Sequence, residues 1–253
     1  MKLAVHLRHI FLLLLILIAF SSCSGRIDGV IRQEEGPGGI AGAGFSLDIT
    51  LGTRMASLIR TLSEVMTGLP ANGPILNAGL IGKSIAAAPG VSQVALKNPR
   101  AVTIAGSISV ANLSEFLAVP SGIVGASSGG ESLVFKYDPK GRLLISLDRN
   151  SGPLILTMLS PEVNQYLSAL LAPVATGEPV SKSEYLSLVA AIYGKPIADE
   201  IAASSIRIAL EFPGTITGIR GGTARGSQAE FTIPLPDLLV LEQPLSYEIS
   251  WYQ

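Results

Sequence analysis

The chain has 253 residues, of which 48% are hydrophobic and 15% are charged, and its 18 Lys and Arg nearly balance its 19 Asp and Glu. A formal charge of −1 argues against nucleic acid and anionic membrane surfaces as partners, because basic patches neutralise the phosphates of both. The length suffices for one large hydrophobic core or two small ones.

The first 22 residues have the pattern of a secretory signal peptide. Lys2 and Arg8 form a basic start, an apolar run extends from Ile10 to Phe20, and small residues follow. The run is too short for a membrane-spanning helix, which needs about twenty residues. We therefore predict that residues 1–22 are a cleaved signal peptide.

The only cysteine follows directly, in the stretch "FSSC". This stretch resembles the lipobox of bacterial lipoproteins, although Phe20 stands where that family most often has Leu. The resemblance implies that Cys23 is acylated, carries palmitate or a similar chain, and becomes the first residue of a membrane-anchored protein. Ser24, where an Asp would favour retention at the inner membrane, implies the outer membrane, facing the periplasm. The alternative is an ordinary buried thiol.

Cleavage would also change the chemistry that the chain carries. Both histidines, His6 and His9, lie in the signal, and loss of Lys2 and Arg8 lowers the formal charge from −1 to −3. An acylated Cys23 forms no disulfide, so burial alone must stabilise the fold. We expect neither a cofactor nor a bound metal.

The first half of the chain predicts mixed secondary structure. Residues 23–44 comprise the acylated terminus, a short strand at 26–33 and a Gly-rich loop at 34–44. A first αβ unit, 45–138, begins with the alternating strand "FSLDITL" at 45–51 and a helix that Thr53 caps and Gly68 ends. A weaker helix at 74–88, a hairpin of strands at 91–97 and 101–110, and a short helix at 112–118 follow.

A second αβ unit, 139–253, repeats this order. Strands at 132–137 and 142–147 flank the turn "DPKG", and Ser160 and Pro161 open a helix that reaches Leu171. Ser181 and Glu184 form a capping-box pattern before a helix that Gly194 closes. Alternating strands at 206–212, 229–233 and 245–251 complete the chain.

The two units share more than their order of elements. "ALKNPRAVT" at 95–103 and "ALEFPGTIT" at 209–217 agree at Ala, Leu, Pro and Thr, which indicates either an internal duplication or chance. Antiparallel strands with clustered helices predict an α+β fold, possessing one or more sheets packed with helices.

Two motifs suggest enzymatic chemistry. "GASSG" at 125–129 fits the nucleophile elbow G-x-S-x-G, with Ser127 as nucleophile, but it lies in a loop and no histidine remains to act as its base. "NAGLIGKS" at 77–84 differs from a phosphate-binding loop at Asn77, and no strand precedes it. We interpret the first as a flexible turn and the second as a small-residue helix.

Other ligand chemistry is sparse. The adjacent acidic pairs at 34–35 and 199–200 are expected to be solvated, and no calcium-loop pattern occurs. Trp251, the only Trp, has apolar spacing on the last strand and is expected in the core rather than on a sugar-binding surface.

The C-terminal stretch "SIRIALEFPGTITGIRGG…QAEFTIP…SYEISW" resembles the end of the LppM-type domain of bacterial envelope lipoproteins. In that family a strand ending in Phe-Pro-Gly leads through a Gly-containing turn to a Trp-bearing strand. The matching positions are Phe212, Pro213, Gly214, Gly221, Gly222, Phe231 and Trp251. The resemblance implies a grip of strands and helices around an apolar interior that handles lipid. It carries over no catalytic residue, and the chain lacks the membrane helix that members often have after the domain.

These observations predict a lipid-anchored, non-enzymatic protein that binds or carries a hydrophobic ligand such as a lipid. The alternative is a structural or interaction module in envelope assembly with a filled core. A hydrolase acting through Ser127 is the third hypothesis. A cavity would distinguish the first two.

Overall fold

The computed structural model of the chain describes residues 24–33, 41–67, 73–117, 134–138, 141–151 and 166–252. The predicted signal peptide, Cys23, the acidic pair at 34–35 and the GASSG motif at 125–129 lie outside the described residues. So does the predicted start of a helix at Ser160, although residues 166–169 are helical.

The strands alternate with helices along the described chain. The strands are β1 (Ser24–Gln33), β2 (Ala41–Thr50), β3 (Val91–Arg100), β4 (Thr103–Val110), β5 (Val134–Asp138), β6 (Arg142–Leu147), β7 (Ser205–Glu211), β8 (Thr215–Arg220), β9 (Thr223–Arg225), β10 (Gln228–Pro234) and β11 (Leu245–Tyr252). The helices are α1 (Thr53–Thr67), α2 (Ala78–Ala86), α3 (Leu113–Leu117), α4 (Pro173–Thr176), α5 (Lys182–Tyr193), α6 (Lys195–Ala202) and α7 (Leu235–Val240), with a 3₁₀ turn at Arg149–Ser151.

The strands form two sheets. A seven-stranded sheet has the order β3-β4-β2-β1-β7-β10-β9, and a four-stranded sheet has the order β5-β6-β11-β8. Neighbouring strands are antiparallel except for β1 and β7, which run parallel with Ser24 opposite Ser205. A parallel pair needs a long crossover, and here it contains α1, the β3–β4 hairpin, two strands of the other sheet and the helices up to α6. The fold is α+β, as the sequence predicted.

One face of the seven-stranded sheet is covered and the other is polar. Along β1, Ile27 and Ile31 point to the covered face, whereas Arg26 and Asp28 point away from it, as the two-residue period of a strand requires. The covered face packs at one end against the four-stranded sheet and at the other against helices. Two hydrophobic cores result.

The inter-sheet core lies between the two sheets. Its buried residues are Ile31, Ala43, Val110, Leu113, Leu143, Leu210, Phe212, Ala229, Phe231, Ile233, Tyr247, Ile249 and Trp251. Phe212 stacks on Trp251 with ring centroids 4.7 Å apart, and Phe231 meets Tyr247 edge-on at 5.2 Å. The predicted burial of Trp251 is therefore confirmed, and Phe212 is equally buried, since each is 3% exposed.

The helical core lies at the other end of the sheet, where β1 begins. Its buried residues are Met55, Ile59, Leu147, Leu170, Ala172, Val174, Tyr185, Val189, Ile197, Ala198, Ile201, Leu239, Val240 and Leu241. They come from α1, from α4 to α7, from the chain around residue 170, from the end of β6 and from the residue that follows α7.

Local chemistry explains where the predicted elements begin. Ser181 and Glu184 form the predicted capping box, with the Ser181 hydroxyl accepting from the Glu184 backbone N–H and the Glu184 carboxylate accepting from the Ser181 N–H. Gly141, in the predicted "DPKG" turn, has a φ of +105°, and a Cβ there would lie 2.1 Å from the Trp251 carbonyl oxygen. Only glycine lets β6 approach β11 this closely.

Two predicted boundaries are wrong. Residues 41–44 were expected in a Gly-rich loop, but they belong to β2, where Gly44 pairs with Val30 on one side and Ser109 on the other. Pairing on both sides overrides the weak strand preference of glycine. The helix expected from Pro74 begins instead at Ala78, because the Asn77 side chain accepts from the N–H groups of Gly79 and Leu80 and so caps it.

Strands from both predicted αβ units share each sheet. In the seven-stranded sheet, β1 and β2 lie next to β7 and β10 in the order β2-β1-β7-β10. In the four-stranded sheet, β5 pairs with β6, although the predicted boundary at residue 139 lies between them. The two aligned segments also occupy different positions, since 95–103 joins two strands of one sheet and 209–217 leads from one sheet to the other. The duplication stays a prediction about ancestry.

Candidate functional site

An apolar pocket of about 180 Å³ lies between the helical core and the end of the seven-stranded sheet where β1 begins. We call it the Ser24 pocket. Its lining residues are Ser24, Gly25, Ile49, Thr50, Leu51, Met55, Ile59, Leu76, Tyr166, Leu167, Leu170, Ser204, Ser205, Ile206, Leu235 and Leu239. No charged side chain is among these described residues.

Pairs at helical spacing build the helical walls of the pocket. Met55 and Ile59 are four residues apart on α1, and Leu235 and Leu239 are four apart on α7. Side chains at this spacing lie on the same face of a helix, one turn above the other. Each of these helices therefore presents two adjacent aliphatic groups to the pocket.

The sheet contributes the opposite wall through the ends of three neighbouring strands. Ile49 on β2 and Ile206 on β7 flank Gly25 on β1, and the register places the three side by side. A Cβ at Gly25 would lie 3.3 Å from an Ile206 side-chain carbon, so the Ile206 side chain lies close over Gly25 and a larger residue there would crowd it.

A buried carboxylate positions the α1 wall. Glu200 on α6 is 3% exposed, and its two oxygens accept from the backbone N–H groups of Met55 at 2.8 Å and Arg54 at 3.2 Å. These donors belong to the first turn of α1, which no backbone carbonyl satisfies and where a negative charge is favourable. Glu200 thus ties α6 to the helix that carries Met55 and Ile59.

The expectation that residues 199–200 form a solvated acidic pair is half wrong. Asp199 is exposed and pairs with Lys195 at 2.6 Å, as expected. Glu200, one residue on, lies about 100° further around the helix and points into the helical core. Its partners, the backbone N–H groups of Arg54 and Met55 and the Arg54 guanidinium at 3.9 Å, lie about 145 positions earlier, which no local pattern reveals.

A second concavity, the sheet groove, crosses the polar face of the seven-stranded sheet and has a volume of about 650 Å³. Four of its charged side chains form two ion pairs, Arg26 with Asp28 at 2.7 Å and Arg207 with Glu230 at 2.5 Å. The hydrogen bond to Asp28 raises the pKa of Arg26. Charges of both signs that already neutralise each other are typical of a solvated antiparallel face.

One polar group in the helical core is unusual. The hydroxyl of Tyr185 is buried and has no hydrogen-bond partner among the described residues, and the same burial raises the pKa of Tyr185. Tyr185 does not line the Ser24 pocket. Its hydroxyl is an energetic cost to the core and not a feature of the site.

The structure describes some of the other residues that the sequence analysis singled out and leaves others outside the described ranges. Cys23 and Ser127 lie outside the described residues, and Ser24 is on the wall of the pocket. Asn77–Ser84 is a capped helix, as interpreted, and no group of three or more acidic, histidine or cysteine side chains suited to a metal occurs in the described part of the chain. None of the described helices is long and apolar enough to cross a membrane.

The pocket itself was missed by sequence reasoning. Its walls come from β1, β2, β7, α1, α7 and the chain near residue 170, which are far apart in sequence. The usable signals were the apolar pairs four residues apart at 55 and 59 and at 235 and 239, but the same pairs would occur in a filled core.

Comparison with known proteins gives one likeness. Neither a scan against protein-family models nor a search of curated proteins finds a match. Among solved structures, the NMR structure of the folded domain of LppM from Mycobacterium tuberculosis is similar to this chain, with 11% sequence identity and a TM-score of 0.34. The match covers 92% of this chain and 91% of that one. Similarity at this level assigns neither a site residue nor a ligand to this chain.

Proposed function

We propose that this chain is a non-enzymatic, lipid-anchored protein of the cell envelope, held by acylated Cys23 at the outer membrane and facing the periplasm, and that it binds a hydrocarbon chain in the Ser24 pocket. The signal-like residues 1–22 and the lipobox support the anchor. The single observation that carries the binding function is a pocket whose described walls are mainly aliphatic side chains and include no charged one.

The lining selects the chemistry of the ligand. The described lining residues that carry hydroxyls are Tyr166 and the Ser and Thr residues near the strand ends, and two of these hydroxyls already have partners. The Ser204 hydroxyl donates to the Glu200 carbonyl at 2.5 Å, and Thr50 shares a hydrogen bond with Thr103 at 3.2 Å. Ligand sites are mostly apolar with a few placed polar groups. A saturated chain fits these walls better than a sugar, a nucleotide or an amino acid.

The volume selects the size of the ligand. An apolar cavity of about 150 Å³ holds benzene, and a water molecule takes about 30 Å³ of liquid, so the 180 Å³ pocket holds about six methylene-sized groups. A whole phospholipid is too large. We therefore propose that one chain enters with a segment of about six carbons while the rest of the lipid stays outside.

The expected affinity is modest. Burial of a methylene is favourable by about 0.8 kcal/mol, so about six contribute roughly 5 kcal/mol before the cost of association. Because −4.1 kcal/mol corresponds to a dissociation constant of about 1 mM, the cost of association leaves the free chain with a dissociation constant of about 1 mM or higher. Such binding suits a protein already held at a membrane, where the local concentration of acyl chains is high.

Binding can be tested on residues 24–253 made without the signal and therefore without acyl groups. We expect the fluorescent linear fatty acid cis-parinaric acid to bind this protein and short saturated fatty acids to displace it. Ile59→Trp should fill the pocket and weaken binding at least tenfold.

Leu58→Trp is the matched control. Leu58 is the preceding residue of α1 and packs against the helical core without lining the pocket. The Leu58→Trp variant should bind cis-parinaric acid with the same affinity as the parent protein. Equal binding by all three proteins, or none by the parent, would contradict the proposed site.

The anchor is tested separately. Replacement of Cys23 by Ala should abolish incorporation of radioactive palmitate and move the protein to the aqueous phase on detergent partitioning. Stable anchoring needs more than one acyl chain or a second signal. Label retained by the variant would show that the lipobox interpretation is wrong.

The alternative function, an interaction module in envelope assembly, has one observation in its favour. The sheet groove has a volume of about 650 Å³ and is lined by charges of both signs. A pocket variant such as Ile59→Trp that kept the function of the protein in cells would favour this alternative.

A further inference from the structure

Two residues that line the Ser24 pocket belong to neither a strand nor a helix, and both are bonded to the same hairpin. Leu51 follows β2, and Leu76 precedes α2. The hairpin is that of β3 and β4, and we call residues 98–103 the hairpin end, which comprises the last residues of β3, the turn and the first residue of β4. The Leu51 N–H donates to the Val102 carbonyl at 3.0 Å. None of residues 98–103 lines the pocket.

Asn98 connects the hairpin end to the chain around Leu76. Its Nδ2 donates to the Leu76 carbonyl at 2.6 Å and to the Thr103 carbonyl at 3.0 Å, and its Oδ1 accepts from the Ala78 N–H at 3.0 Å. The side-chain amide thus uses both its donor and its acceptor groups, and all three partners are backbone groups. One side chain therefore joins the start of α2, the preceding coil and the hairpin end.

These bonds fix Leu76 from both sides. The Ile75 N–H, one residue earlier, donates to the Ala101 carbonyl at 2.9 Å, and the Ala78 N–H, two residues later, is bonded to Asn98. Within the described part of the chain, the hydrogen bond from Asn98 is the only one that the Leu76 backbone makes. Loss of the Asn98 amide therefore frees the Leu76 wall without removing a residue from the pocket.

We propose that Asn98 is a positioning residue of the Ser24 pocket and holds the Leu76 wall in place from outside the pocket. The inference rests on the proposed function, because it concerns the same site. Leu76 contacts the bound hydrocarbon chain, whereas Asn98 acts only through the backbone of Leu76. Binding of an apolar ligand then depends on a polar side chain that does not touch it.

A double-mutant cycle on residues 24–253 tests this role with cis-parinaric acid. Leu76→Ala removes the wall and Asn98→Ala releases it, so each should weaken binding about fivefold, equivalent to the burial of about one methylene group. Because both changes remove the same contact, the double variant should bind no more than about twofold more weakly than Leu76→Ala alone. Independent effects would multiply to about 25-fold.

Asn98→Asp separates the two kinds of hydrogen bond. The carboxylate keeps an acceptor for the Ala78 N–H but has no proton to donate to the carbonyls of Leu76 and Thr103. Binding should therefore weaken in Asn98→Asp about as much as in Asn98→Ala, while hydrogen exchange of the Ala78 amide becomes faster only in Asn98→Ala. Asn98→Asp also takes the place of Asn98→Ala in the cycle if the latter is unfolded.

Asn112→Ala is the matched control. The Asn112 side chain also accepts from a backbone N–H, that of Glu115 at 3.0 Å, but neither residue lines the pocket. This variant should bind cis-parinaric acid with the affinity of the parent. Denaturant unfolding of every variant ensures that binding is compared between folded proteins.

The outcomes distinguish this inference from the proposed function. If the parent binds the probe and the folded Asn98 variants bind it equally well, the positioning role is overturned and the binding function stands. Effects that multiply in the cycle would also overturn it, because Asn98 would then not act through Leu76. Absence of binding by the parent would contradict both proposals.

Discussion

The two cores under the same sheet face differ in composition and in how completely they are filled. The inter-sheet core contains the aromatic pairs Phe212–Trp251 and Phe231–Tyr247, whereas the helical core is mainly aliphatic and adjoins the Ser24 pocket. Two sheets packed face to face hold facing side chains in a fixed register, so large rings can be matched in pairs. The helices of the helical core meet the sheet near the start of β1, and their side chains leave a gap there.

This comparison separates stability from binding. Residues of the inter-sheet core should affect the free energy of unfolding without changing the pocket, and residues of the α1 wall should affect both. Substitutions on the outer face of the sheet should change neither the free energy of unfolding nor binding in the pocket strongly.

The largest loss of stability is expected from Phe231→Ala. Phe231 is 2% exposed and its ring meets Tyr247 edge-on. Truncation of a buried Phe to Ala costs about 3–5 kcal/mol through lost burial and the cavity that remains. Denaturant unfolding should show this decrease, while the folded protein binds cis-parinaric acid with unchanged affinity. A loss below about 1 kcal/mol would mean that the inter-sheet core is not tightly packed.

An intermediate loss, with a change in binding, is expected from Glu200→Ala. The variant leaves the N–H groups of Arg54 and Met55 without their buried acceptor, which should lower the free energy of unfolding by about 2 kcal/mol. Because α1 carries Met55 and Ile59, probe binding should weaken as well. Unfolding and fluorescence titrations measure the two effects.

Asp199→Ala is the matched control for Glu200. Asp199 lies on the exposed side of the same helix and pairs only with Lys195, so its loss should change stability by less than about 0.5 kcal/mol. Glu200→Gln keeps one acceptor and should fall between the parent and Glu200→Ala. Equal effects of the substitutions at 199 and 200 would contradict the role assigned to Glu200.

The contrast between these neighbours shows where sequence reasoning succeeds and where it stops. Alternation and capping are local, so the strands around Phe212 and Trp251 and the capping box at Ser181 were predicted correctly. The carboxylate of Glu200 has partners on a distant helix, and its burial was predicted wrongly.

The candidate site was inaccessible to prediction for the same reason. The parallel pairing of β1 with β7 brings Gly25 beside Ile206 after an intervening chain of about 180 residues, and only then do α1 and α7 enclose a pocket. Apolar spacing specifies which side of each helix is buried. It does not specify whether the buried sides meet or leave a space.

A smaller effect, of opposite sign, is expected from Tyr185→Phe in the helical core. The Tyr185 hydroxyl is buried with no hydrogen-bond partner among the described residues, so its removal should raise the free energy of unfolding by about 1 kcal/mol. Thermal or denaturant unfolding near pH 7 measures the gain. A loss of stability would show that the hydroxyl is satisfied.

The pH dependence provides a second measurement on the same residue. Burial raises the pKa of Tyr185 above its ordinary value of 10.0, so the unfolded chain releases this proton at lower pH than the folded chain. Stability should therefore fall as the pH rises above 10, by up to about 1.4 kcal/mol per unit for this group. The raised pKa of Tyr247 adds to the decline, and Tyr185→Phe should make the decline shallower. Identical slopes for the two proteins would contradict selective burial of the phenol.

The smallest effect is expected on the outer face of the sheet, from Arg207→Ala. Arg207 pairs with Glu230 across β7 and β10, but both side chains are substantially exposed, at 51% and 40%. Exposed ion pairs contribute about 0–1 kcal/mol, because water screens the charges and two long side chains lose freedom. Stability should fall by less than about 1 kcal/mol, and 1 M salt should reduce the difference from the parent. Probe binding should stay unchanged, since the covered face of the sheet holds the Ser24 pocket. A larger loss, or weaker binding of cis-parinaric acid, would show that the sheet groove and the pocket are coupled through the strands they share.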